Sequence, residues 1–129
     1  MDAFGELHAI PPQILADGYL ARAVHGERLT LAVVEVEPDA ELPEHRHDKE
    51  QFGLVVQGSA IFRVGDEERS LRPGGIWCIP STTPHTVTAG EAGAVVIDIF
   101  SPPREDWKAR DQLPAQFGND SPMCCQAAV

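Results

Sequence analysis

The sequence predicts an all-β fold, a sandwich or barrel of short strands in a single domain. Apolar residues recur in short alternating or continuous runs rich in Val, Ile and Thr, none long enough for an ordinary helix. Eleven glycines and eleven prolines are spread over the 129 residues, above a usual combined share of about 12 per cent. Turn chemistry bounds each run, and one chain of this length builds one core.

The elements follow in order. "YLARAV" (19–24) and "LTLAVVEVE" (29–37) flank "HGER", where Gly26 supplies the turn. "FGLVVQ" (52–57) ends at Gly58, "SAIFRV" (59–64) follows, and "GDEE" turns the chain into "RSL". "RPGG" leads into "IWCI" (76–79), "PSTTP" into "HTVT" (85–88), and "AGEAG" into "AVVIDIF" (94–100). From Ser101 onward four prolines break any apolar periodicity. Arg104 to Gln112 fits a short helix. The domain is therefore expected over residues 1–107, with 108–129 as a loosely held tail.

Twenty acidic side chains against ten Lys and Arg give a formal charge of −10. That balance repels phosphate backbones and argues against nucleic acid as a partner. No apolar run approaches the roughly 20 residues that cross a bilayer. "MDAFGELHAI" lacks a basic region followed by an apolar stretch, so the expected location is the cytoplasm. Cys78 and the adjacent Cys124 and Cys125 make an odd count, which reads as free thiols.

"ELPEHRHDKEQFGLVVQG" (41–58) places His45 and His47 one residue apart. On a strand both imidazoles face one space, the spacing of two adjacent ligands on a metal. An isolated pair of this kind is more often solvated. Two features reverse that balance. Gln51 opens an apolar strand, and "PSTTPH" starts another strand with His85, so three imidazoles and one amide oxygen can converge. Glu50 is the rival fourth donor. Parity favours Gln51, because 45, 47 and 51 share a face if no bulge intervenes. In "AVVIDIF", Val96, Asp98 and Phe100 share a face. A carboxylate there is costly if buried alone, and a wet face or a structural arginine partner is an equally open reading.

The double motif resembles the cupin superfamily over about residues 28–100. His45-x-His47, three residues, Gln51, six residues and Gly58 match the first motif; Gly74, five residues, Pro80 and then His85 match the second. Two departures stand out: Asp39-Ala40 replaces the glycine that usually opens the first motif, and Gln51 replaces glutamate. The resemblance implies a double-stranded β-helix, the cupin jelly-roll barrel. It also implies one divalent transition metal (Fe, Mn, Ni, Co or Zn) held by His45, His47, Gln51 and His85. With no carboxylate among those four, the metal's charge is left uncompensated and favours an anionic ligand.

"DIFSPPRED" (98–106) further resembles the pectin-degradation cupins of the KdgF type, which open 4,5-unsaturated uronates into linear keto acids. That likeness implies an acidic small-molecule substrate and pocket roles for Asp98, Phe100 and Arg104. Asp98 would move a proton, Arg104 would clamp a carboxylate, and Phe100 would pack on the sugar. The rival functions are an iron-dependent cupin dioxygenase and a non-catalytic module binding a small acid or sugar. A homodimer is expected, because small cupins usually pair and the first two apolar runs offer suitable faces. His8 and His25 are expected at the surface, and Phe62 and Trp77 in the core, with a place in the cavity lining as the alternative for both.

Overall fold

The computed structural model describes residues 3–115 and 117. Among these residues eight strands form: β1 (Gln13–Ala16), β2 (Tyr19–His25), β3 (Thr30–Val36), β4 (Glu41–His45), β5 (Glu50–Val64), β6 (Glu67–Leu71), β7 (Ile76–Ile79) and β8 (His85–Ser101). A four-residue helix, α1 (Glu105–Lys108), follows. The all-β expectation holds. Between Arg104 and Gln112 the helix is shorter than the sequence suggests, a single turn over Glu105–Lys108.

Two long strands shape the barrel. The C-terminal half of β8 (94–100) lies between β3 and the start of β5, while its N-terminal half (85–89) lies between β4 and the end of β5. One layer therefore runs β1-β2-β3-β8-β5-β7 and the other β4-β8-β5-β6. The sequence predicts a break at Gly58 and another at the Gly-rich stretch before Ala94. Instead β5 and β8 are continuous, and their pairing shifts register between Val55 and Gln57 and between Gly58 and Ala60. Gly58 has φ 74° and its missing Cβ would lie 2.0 Å from the Gly93 carbonyl oxygen. Glycine here bends a strand rather than ending it.

Side chains alternate across this bend. The inner rows are Val34–Val96–Val55, then Ala32–Asp98–Gly53–Trp77, then Thr30–Phe100–Gln51–Ile79. Most are buried, and together with Phe62, Val87 and Ala89 from the other layer they form one core. In the connection between β3 and β4, Asp39 takes φ 60° at the position where the first motif usually has glycine. Asp is one of the few residues that visits this region readily. No helix among the described residues is long and apolar enough to cross a membrane.

Residues after α1 fold back along β1. Leu113 N–H donates to the Pro12 carbonyl, and the Arg110 guanidinium donates to the Ile14 and Leu15 carbonyls. Arg22 reaches the Ala115 and Phe117 carbonyls from β2. Cys78 is exposed and free, while Cys124 and Cys125 lie outside the described residues.

Candidate metal centre

The three motif histidines meet at one end of the barrel. Their ligand atoms all lie within 4.8 Å of one another. His45 ends β4 and pairs across to His85, the first residue of β8. His47 is not on the strand, as the spacing suggested, but in the connection to β5. That connection is pinned instead by Thr82 N–H donating to the His47 carbonyl and by Ser81 Oγ donating to the Asp48 carbonyl. The i, i+2 geometry survives by a different route.

Each imidazole is held the same way. Nδ1 of His45, His47 and His85 lies 2.9, 3.0 and 2.9 Å from the carbonyl oxygens of Pro43, Lys49 and Thr83. A carbonyl only accepts, so Nδ1 carries a proton and Nε2 is the ring nitrogen left to present a lone pair. Metal-binding histidines are commonly oriented by such contacts. Burial lowers the pKa of His47, and the Arg104 charge adds to the effect. Burial likewise takes His85 down to about 4. Both rings are therefore neutral near pH 7. Nε2 of His85 is buried with no hydrogen-bond partner.

Gln51 is buried beside them, while Glu50 is exposed. Its Nε2 donates to Asp98 Oδ1 at 2.8 Å, which turns Oε1 toward His47 Nε2 at 3.1 Å. With the His47 proton on Nδ1, these two facing atoms are both acceptors. A cation reconciles them. The histidines are thus positioned for a metal, and the neutral nitrogen-rich set suits a divalent transition ion.

The same cavity, about 220 Å³, is lined by Asp98, Phe100 and Arg104 as well. Drug-sized pockets start at roughly 300 Å³, so the space suits a small ligand such as one sugar ring. Asp98 sits on the inner face of β8 and accepts from Gln51 and from Trp77 Nε1, the latter at 3.1 Å. Burial pushes its pKa up to about 6, against the lowering effect of those hydrogen bonds and of Arg104. Arg104 lies over the Phe100 and Trp107 rings, 4.8 and 4.3 Å from their centroids. Its Nε and Nη2 grip Asp106 at 3.0 and 2.8 Å, which holds that carboxyl below its usual range.

Several contributors lie outside the motifs. Trp107, Tyr19 and Arg110 line the cavity. His25 is half-buried rather than on the surface: its Nδ1 lies 2.8 Å from Thr30 Oγ1, which accepts the Arg104 N–H. His8 is also half-buried. Phe62 both packs in the core and lines the cavity. None of these carries a local signal, because each acts through strand register or the return of the C-terminal segment.

Residues 32–100 match the cupin domain family (Cupin_2). The chain belongs to the cupin family. Within it the chain is KdgF-like. KdgF from Halomonas sp. superposes with a TM-score of 0.76 at 31% identity, covering 83% of this chain and 99% of that one. The pectin degradation protein KdgF of Dickeya dadantii (strain 3937) is 36% identical over 64 residues, 49% of this chain. The matched segment spans 58% of that relative's length. An RmlC-like cupin from Shewanella frigidimarina NCIMB 400 shares the fold at a TM-score of 0.77 and 23% identity, over 83% of this chain and 96% of that one.

The pKa of Asp98 in this cupin makes a prediction about stability. A carboxyl raised from 3.8 to about 6 on folding destabilises nothing below pH 3.8. As pH rises toward 6 the folded state holds a proton that the unfolded state releases, and stability falls by about 3 kcal/mol before levelling. Asp98→Asn does not titrate. In chelated protein, its melting temperature is expected to gain on the wild type between pH 4 and pH 6, as read by calorimetry; a difference that stays constant across this window would contradict the assignment.

Proposed function

We propose that this cupin opens 4,5-unsaturated uronate sugars into linear keto acids, using one divalent transition metal. The observation that carries the reading is a buried carboxyl, Asp98, facing the same small cavity as three imidazole lone pairs and one guanidinium. The reaction is an isomerisation. A proton leaves the hemiacetal oxygen, the bond between the anomeric carbon and the ring oxygen breaks, and the vinylic carbon takes up a proton. One aldehyde and one ketone result, with no oxidant needed.

His45, His47, His85 and Gln51 Oε1 would hold the metal. When bound, it supplies positive charge toward a carboxylate or a developing enolate oxygen. Asp98 moves the proton, as its raised pKa suits a general acid near neutral pH. Arg104, held over the Phe100 and Trp107 rings and by Asp106, binds the substrate carboxylate. Phe100 packs against the sugar. The local cation matters because the chain's net charge of −10 repels a uronate at long range.

The test uses metal-loaded protein and freshly made unsaturated galacturonate under nitrogen. Loss of the ultraviolet absorbance of the substrate is expected with zinc or nickel. Activity that requires iron and consumes oxygen would favour a dioxygenase instead, and ligand binding without turnover would favour a binding module.

The outer face of the six-strand layer supports a homodimer. Across β3, β8, β5 and β7 it presents Leu31–Ile99–Phe52–Cys78 and Val33–Ile97–Leu54–Ile76, two uncharged rows. Ile76 is 75% exposed and Phe52 46%. Monomers rarely leave an apolar patch this continuous in water. On an acidic chain, a second copy of the same uncharged patch buries it without stranding a charge. Light scattering is expected to give a dimer for the wild type and a monomer for Leu54→Glu; a monomeric wild type would refute the pairing.

A further inference from the structure

Asp98, Gly53 and Trp77 lie side by side on the inner face of β8, β5 and β7. Because Gly53 has no side chain, the Trp77 indole crosses above it: a Cβ there would sit 2.3 Å from Trp77 Cζ2. The indole also stacks on Phe62 at 4.1 Å and 24°. Packed this way, Trp77 has its single N–H aimed at Asp98 Oδ1, 3.1 Å away. That same oxygen accepts Gln51 Nε2 at 2.8 Å. Among the described residues none donates to Oδ2, and that oxygen is not sealed off from the cavity.

We propose that Trp77 is a positioning residue that decides which oxygen of Asp98 works. Two donors occupy Oδ1, so Oδ2 is the oxygen that holds and passes a proton to a ligand in the cavity. The same grip stops the carboxyl from rotating, and a fixed Oδ1 in turn keeps the Gln51 amide with its oxygen toward the histidines. A purely apolar aromatic could still stack on Phe62 but has no donor for Asp98. Only the indole N–H performs this task. The kinetic consequence rests on the uronate-opening reading; the hydrogen bond and the orientation it imposes do not.

The test has two arms. Trp77→Phe keeps an aromatic ring, though a smaller one than the indole, and removes the donor. In metal-loaded protein it is expected to lower kcat on unsaturated galacturonate about tenfold or more, with KM changed less than about twofold and metal content unchanged. A folded, metal-loaded Trp77→Phe with wild-type kcat overturns the proposal. The second arm needs no activity. The two indole N–H proton resonances, from Trp77 and Trp107, are followed by NMR in wild type and in Asp98→Ala. The Trp77 signal is expected to move upfield in the variant while that of Trp107 stays in place. A Trp77 signal unmoved by Asp98→Ala removes the hydrogen bond and overturns the proposal. A wild type inactive on uronates would instead refute the functional reading, leaving the NMR arm to decide the role of Trp77.

Discussion

His85→Ala is expected to lose divalent metal binding by more than a hundredfold while still folding. The side chain is 2% exposed, its Nδ1 is held by the Thr83 carbonyl, and its Nε2 meets no partner. A buried acceptor left unsatisfied destabilises the folded chain by about 1–3 kcal/mol. In metal-free protein, removing that ring therefore takes away a cost along with some packing. Metal reverses the comparison, because a ligand that binds only the folded state raises its stability. Added nickel or zinc should raise the melting temperature of the wild type and leave that of His85→Ala unchanged. An equal upward shift in both proteins would remove His85 from the site. Changing even a group that merely orients a ligand costs about 10–100-fold in affinity, so losing a ligand itself exceeds that.

Asp98→Asn is expected to abolish turnover by about a hundredfold to ten-thousandfold, the usual range for a positioned acid or base. The substitution keeps shape and keeps an oxygen that can accept from Gln51 and Trp77, as Asp98 Oδ1 does at 2.8 and 3.1 Å. It removes only the transferable proton. Metal content and KM should therefore stay close to wild type, a pattern that separates lost chemistry from lost structure. A variant retaining more than about a tenth of wild-type kcat would take Asp98 out of proton transfer.

Much of the architecture was readable because alternation carries it. "IWCI" became β7 with matching ends, and within β5 Gln51 is buried while Glu50 is exposed. Parity grouped Asp98 with Phe100 and Val96 on the inward face of β8. What alternation does not encode is where a strand bends. Gly58 looks like a terminator in one dimension, but in the barrel it allows β5 to continue past the Gly93 carbonyl. His47 illustrates a second limit: its place depends on hydrogen bonds between the 46–49 connection and Ser81 and Thr82, more than thirty residues away in the chain. The Trp77–Asp98 contact depends on the register of three strands and on the gap at Gly53. Arg104 and Asp106 are near neighbours, yet their pairing needs the turn of α1 and the two rings beneath the guanidinium.

The most direct check on the centre is X-ray absorption at the metal edge of protein loaded with one equivalent of zinc or nickel. Three imidazole nitrogens at about 2.0–2.1 Å, with only oxygen completing the shell, are expected. A shell with one imidazole or none, or one containing sulfur, would mean that His45, His47 and His85 do not form the centre.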